Sequence, residues 1–242
     1  MYHSIHSDFI ETPLIEILKE GVQACRPLGV GIHTEPMKEY FLSSLFLRMT
    51  GAQEQKLKCI CWELATHDYE FRCEYTSART SFGEMSNMGH KVKLYEALRE
   101  SINKIMKPSM GNITLEKDKI EELRNHVISS LEEAPVVATW LKQDLDLVHC
   151  DVSFLLYGSK KLSISDQGLK NDYESLVYRH RNHCAHNLTS YQRCFDSFDR
   201  LKDKDYPRQN YVYRFVILIL IDEIFIELYQ KYKELVERSP WR

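Results

Sequence analysis

The stretch YVYRFVILILIDEIFIELY, residues 211–229, limits what this chain can fold into more than any other. Arg214, Asp222 and Glu223 leave only seven uninterrupted apolar residues, 215–221, against the roughly 20 that a membrane span needs. Residues 211–236 are therefore read as one long helix of a non-membrane protein. Its first half is apolar nearly all round, so it must be covered on several sides. Either its own bundle or a second subunit can supply that cover.

Other segments carry the helical period. Residues 37–49 are amphipathic, and Leu57, Ile60, Cys61 and Leu64 follow at i, i+3, i+4, i+7. Leu94, Leu98, Ile102 and Ile105 repeat the spacing, as do Ile120, Leu123, Val127 and Leu131 after the break KPSMGNIT. A further stripe, Leu141, Leu145, Val148, Val152 and Leu155, runs up to YGSKK. A short helix carrying Tyr191, Phe195 and Phe198 is expected before the charged turn KDKDYPRQN. Residues 69–90 show no period and read as a long loop. That loop carries Arg72, Arg79, His90 and several aromatics, which suit either RNA contact by charge and stacking or plain solvation. Residues 1–34 read as an irregular lead with one short helix near 13–24.

Only nine Gly and seven Pro in 242 residues favour helices over a β-rich fold. No repeat or linker divides the chain. The expected fold is all-α, an up-and-down helical bundle with extra N-terminal helices and a long loop near 69–90. It forms a single domain over 1–242, whose segment 165–237 holds the most unusual sequence.

The net charge of −3 supplies no global positive field, so nucleic-acid binding would need a local basic site. Seven Cys without a CxxC pair read as reduced thiols in an intracellular setting. MYHSIHSDFIETP has no basic start followed by an apolar core. A cytoplasmic location, with no membrane contact, is the expectation.

Chemistry concentrates in YRHRNHCAHN, residues 178–187, which packs two Arg, three His and two Asn into ten positions. Leu169, Tyr173, Leu176, Val177, His180 and Cys184 share one side of a helix at 100° per residue. With that stripe as the core face, Arg179, Asn182 and His186 face outward, while His183 and Arg181 lie on opposite flanks. His180 then reads as a hydrogen-bonded core histidine, His183 as structural or supporting, and His186 as accessible for chemistry.

Several chemistries lack their signatures. His180, His183 and His186 stand at i, i+3, i+6 and rotate around the helix, so they do not converge on one ion; no metal is expected. There is no GxSxG, no GxxxxGK[ST] and no GxGxxG.

Arg181-Asn182-His183-Cys184-Ala185-His186 resembles the Arg-x4–6-His motif of the HEPN superfamily in its form Arg-Asn-x-x-Ala-His. The polar residue after the Arg, the small residue before the His and the strongly apolar helix some twenty residues later strengthen the likeness, which covers about 165–235. The resemblance implies an all-α, typically dimeric protein. It further implies a cofactor-free, metal-independent ribonuclease of toxin–antitoxin or antiviral defence systems, with an antitoxin or regulatory partner. Arg181 and His186 would be catalytic, with Asn182, Arg179 and His183 supporting.

The residue types suit RNA cleavage by attack of the ribose 2′-hydroxyl on the adjacent phosphorus. A histidine near its ordinary pKa of ~6.5 can serve as acid or base. Arg presents a planar, permanently charged fork to phosphate oxygens, and Asn orients without titrating. Arg181 and His186, however, are five residues apart, about 140° around an ideal helix. Either the helix ends or distorts within 182–186, or a two-fold dimer completes a composite site. Two alternatives stay open: a non-catalytic HEPN-type module that binds RNA or nucleotide or mediates dimerisation, and a helical bundle whose motif match is accidental.

Overall fold

The computed structural model describes residues 5–76, 84–106, 110–151, 161–186 and 208–238. Its organising element is the long apolar helix α10 (Tyr211–Arg238), in which every residue from Tyr211 to Asp222 is buried. The cover comes from the same chain. Helices α3 (Glu35–His67), α5 (Met88–Ile105), α6 (Lys117–Glu132) and α7 (Pro135–Cys150) pack around α10, joined by the shorter α1 (Ser7–Glu11) and α2 (Leu14–Cys25). The result is an all-α bundle with one contiguous hydrophobic core. Among the described residues no helix is long and apolar enough to cross a membrane.

Helix α3 fuses the two stripes at 37–49 and 57–64 into one helix of 33 residues. Three polar residues of α3 are buried, Gln53, Lys56 and Glu63. The partners of Gln53 and Lys56 lie on α10. Gln53 Nε2 donates to the Leu218 carbonyl at 2.9 Å, and Lys56 Nζ meets both carboxylate oxygens of Asp222 at 2.9 and 3.0 Å. Asp222 also accepts the Leu14 N–H at 2.8 Å. Leu14 opens α2 behind a proline that offers no side-chain cap, so its N–H is among the donors a helix start leaves unpaired. Asp222 supplies the missing cap from the far end of the sequence.

Three expectations change. The lead is more ordered than expected: the short helix expected near 13–24 is α2, α1 precedes it, and together they contribute Ile10, Leu14, Leu18 and Val22 to the core. The aperiodic stretch 69–90 is helical at both ends. Helix α4 (Tyr69–Thr76) starts where Asp68 Oδ1 accepts the Phe71 N–H at 3.0 Å, and α5 starts where Asn87 accepts the His90 N–H at 2.9 Å. Both are N-caps that a search for periodicity overlooks. Arg79 lies outside the described residues. A small antiparallel pair, β1 (Thr114–Glu116) and β2 (Lys161–Ser163), aligns Leu115 with Leu162. Strands of three residues leave no readable alternation. Val152, Leu155 and the helix expected over Tyr191, Phe195 and Phe198 also lie outside the described residues, as does Cys194. The other six cysteines are free thiols.

Candidate functional site

The motif is carried on a helical run from residue 167 to 186 whose middle departs from α geometry. Helix α8 (Gln167–Asp172) passes into a π turn over Tyr173–Tyr178, and α-helical spacing resumes in α9 (Arg179–His186). The two residues that begin the π turn are pinned from outside. Tyr173 is buried and its hydroxyl donates to the Ser86 carbonyl at 2.8 Å; Glu174 accepts the Met88 N–H, at the start of α5, at 3.1 Å. Leaving a π turn passes over one main-chain acceptor. In that stretch the buried Arg214 of α10 donates Nε to the Leu176 carbonyl at 2.9 Å and Nη2 to the Gln209 carbonyl at 3.1 Å.

The π turn sets the phase of everything after it. Each of its residues advances by roughly 80° rather than 100°, so a wheel drawn with one constant step does not by itself fix the orientation of every motif residue. Asn182, expected to face outward, is half-buried, and His183, expected on a flank, is exposed. Arg179 is exposed as anticipated. His180 keeps its place on the inner side, its ring 5.2 Å from that of Phe46 and 5.1 Å from that of Tyr211. Its Nε2 shares a hydrogen bond with the Cys184 thiol at 3.4 Å. Burial pushes that thiol above its ordinary pKa, which disfavours the thiolate a nucleophile needs.

Arg181 is the motif residue with the most defined setting. Its side chain is 30% exposed, Nη1 lies 3.2 Å from Asn182 Oδ1, and Nη2 lies 3.5 Å from Glu54 Oε2 on α3. Glu54 also pairs with Lys58 at 2.9 Å. Beneath them lies Lys91 of α5, fully enclosed, with Nζ donating to the Met85 carbonyl at 2.8 Å and standing 5.2 Å from the centre of the Tyr173 ring. Burial drives the Lys91 ammonium down to about 7, Glu54 and Asp222 oppose that shift, and Arg181 adds to it.

This lysine makes stability depend on pH in a definite direction. The unfolded group, at 10.5, binds a proton that the folded group releases above about 7. The unfolded state therefore holds more protons across pH 7 to 10.5, and this contribution to stability rises with pH through that window and is flat below it. Lys91→Met is expected to remove that component, measured as the urea midpoint against pH for both proteins. Parallel curves would show that Lys91 is not titrating inside the fold.

His186 closes α9 in the main chain, and its side chain lies outside the described residues. Residues 182–186 are all helical, so no break inside the motif brings Arg181 and His186 together; the distortion sits one turn earlier. Along a continuous α helix the two positions stay about 140° apart. Among the described residues, no group of three or more His, Cys, Asp or Glu is placed to hold a metal ion.

The motif's chemical surroundings were only partly visible in the sequence. Glu54, Lys58 and Lys91 belong to this neighbourhood and come from two other segments, α3 and α5. The one available signal was Gln53 and Lys56 interrupting the stripe of α3, which marks that stretch as needing polar partners. In comparisons with family models, curated proteins and solved structures, nothing matches this chain.

Proposed function

We propose that the protein is a HEPN-like, metal-independent endoribonuclease that cleaves RNA by 2′-hydroxyl transesterification, acting in the cytoplasm as a toxin or defence effector. The observation that carries this reading is the Arg181–Asn182 pair on α9: a partly exposed guanidinium, hydrogen-bonded to the adjacent amide and braced against the bundle by α3. Arg181 would take the phosphate oxygens, Asn182 would hold the Arg, and His186 would move the proton to or from the reacting oxygens. Arg179 and His183, both exposed on α9, would support the site. Since α9 is continuous, Arg181 and His186 meet at one phosphodiester only if a second copy contributes its motif. A homodimer with a composite site is therefore part of the proposal, and an antitoxin or other regulator would act by covering that cleft.

The test is incubation of the purified protein with total RNA and with tRNA in EDTA, with product ends mapped. Cleavage is expected to persist without divalent ions and to leave 2′,3′-cyclic phosphate and 5′-hydroxyl ends; 3′-hydroxyl products would sink the mechanism. Arg181→Lys is expected to recover little of the activity lost in Arg181→Ala, because Lys keeps the charge but loses the two-pronged fork. Equal rates for Arg181→Lys and wild type would mean that charge alone suffices.

One observation favours a second reading, a non-catalytic module of the same type that binds RNA or nucleotide. Arg181 faces a carboxylate, Glu54, which partly offsets its charge. A protein that binds RNA with Arg181-dependent affinity but leaves it intact would fit that alternative.

A further inference from the structure

We propose that Glu54 is a positioning residue for Arg181, fixing from α3 the edge of the guanidinium that meets a phosphate. The proposal rests on the nuclease reading for its catalytic consequence, but its geometric core stands on the contacts alone.

Glu54 sits in a part of α3 that is tied to α10 on both sides. Gln53, one residue earlier, is bonded to the main chain of α10, and Lys56, two residues later, is locked to Asp222. The Glu54 backbone is thereby fixed relative to the bundle's central helix. Its side chain is only 17% exposed, and Lys58 holds one carboxylate oxygen at 2.9 Å, leaving the other for Arg181 at 3.5 Å. On its other side Arg181 is held by Asn182. A flexible side chain with four carbon–carbon and carbon–nitrogen torsions is thus confined between two anchors on different helices. The ordering cost that a phosphate ligand would otherwise meet is already met in the free protein. Because Lys58 holds the other oxygen of Glu54, the carboxylate itself is fixed in place beside Arg181.

A merely competing role would have the opposite consequence. If Glu54 only masked Arg181, removing it would expose the cation and tighten phosphate binding. An anchor, once removed, frees the cation and lowers turnover.

Glu54→Ala, Glu54→Gln and Arg181→Ala, singly and as the Glu54→Ala/Arg181→Ala double variant, are compared with wild type on one RNA oligonucleotide. Glu54→Ala is expected to lower kcat about 10- to 100-fold with KM changed far less, as for a misplaced catalytic group. Glu54→Gln, which keeps the acceptor oxygen, is expected to recover part of that loss. The double variant is expected to be no worse than Arg181→Ala. A lower KM with undiminished kcat in Glu54→Ala, or full additivity in the double variant, overturns the proposal.

A second readout needs no cleavage. In the nitrogen-15 spectrum the Arg181 Nη–H resonance, assigned by its loss in Arg181→Ala, is expected to be resolved in wild type because the contacts to Glu54 and Asn182 slow rotation about the Cζ–Nη bonds. In Glu54→Ala it should broaden toward the averaged signal of a mobile arginine. Should wild type cleave no RNA, the nuclease reading fails while this spectrum still decides the anchor; an unchanged resonance in a folded Glu54→Ala protein overturns it. Thermal midpoints of all variants, with the milder Glu54→Gln available if Glu54→Ala does not fold, keep loss of structure apart from loss of the contact.

Discussion

His186→Ala is expected to lower RNA cleavage by about 10²–10⁴-fold, the contribution of a positioned acid or base, while the fold survives. None of residues 179–185 is fully buried, so α9 is a lightly packed element of the bundle. Ala is also a better helix former than His. The measurement is initial rate on a labelled RNA in EDTA, beside circular dichroism and thermal midpoint on the same preparations. Undiminished rates would remove His186 from the chemistry. Mixing Arg181→Ala with His186→Ala adds a test of the composite site, because subunit exchange pairs the intact Arg181 of one copy with the intact His186 of the other and should restore activity that neither variant shows alone. A mixture shown to exchange yet no more active than its components would mean that each copy works alone.

The largest expected effect on stability is at Asp222. Asp222→Ala leaves the Lys56 ammonium enclosed with no counter-charge and the Leu14 N–H without its acceptor. Both partners of the ion pair are only 5% exposed. Breaking a buried pair from one side typically costs about 3–5 kcal/mol, which is a large share of the roughly 5–15 kcal/mol by which folded domains are stable. The urea midpoint should fall steeply, and the variant is expected to be partly unfolded at 37 °C. A loss below about 1 kcal/mol would place the pair among surface bridges instead. Replacing both partners, Lys56→Met with Asp222→Leu, should recover much of the loss, since apolar groups of similar volume remove the desolvation penalty. Recovery should stay incomplete because the Leu14 N–H remains unpaired, at about 1–3 kcal/mol for a buried unsatisfied donor.

Asp222 also shows how sequence and structure divided the work. In the sequence it counted only as an interruption of the most apolar helix, and its partner is Lys56, separated by 166 residues. Pairings of that kind are set by which helices become neighbours. Spacing along one helix carries no record of it. Gln53 and Lys56 are polar residues of α3, and only adjacency to α10 joins them to their partners. Helix α4 illustrates a different gap. Its eight residues are too few to show a stripe, and the Asp68 cap that starts it is a single-residue signal lost in an aperiodic stretch.

The motif helix was legible in kind and misjudged in rotation. Leu169, Tyr173, Leu176 and Val177 are buried as their spacing indicated, and His180 packs inward beside Phe46 and Tyr211. Arg179 is exposed as indicated, whereas Asn182 is half-buried and His183 exposed, after a run that passes through the π turn at Tyr173–Tyr178. Nothing in YESLVY announces that turn. Tyr173, Glu174 and the Leu176 carbonyl are held by Ser86, Met88 and Arg214, all distant in sequence.

What the sequence determined by itself, then, is the helical class, the position of most helices, the centrality of residues 211–229 and the presence of the Arg181–His186 motif. Each follows from local periodicity, or from local composition that one stretch of chain contains whole. Tertiary structure alone decided that α10 is covered by its own chain, that Asp222 caps α2, and that Arg181 turns toward Glu54. Those outcomes depend on contacts between segments far apart along the chain, and the free energy of a buried polar group is settled by the neighbour it meets there.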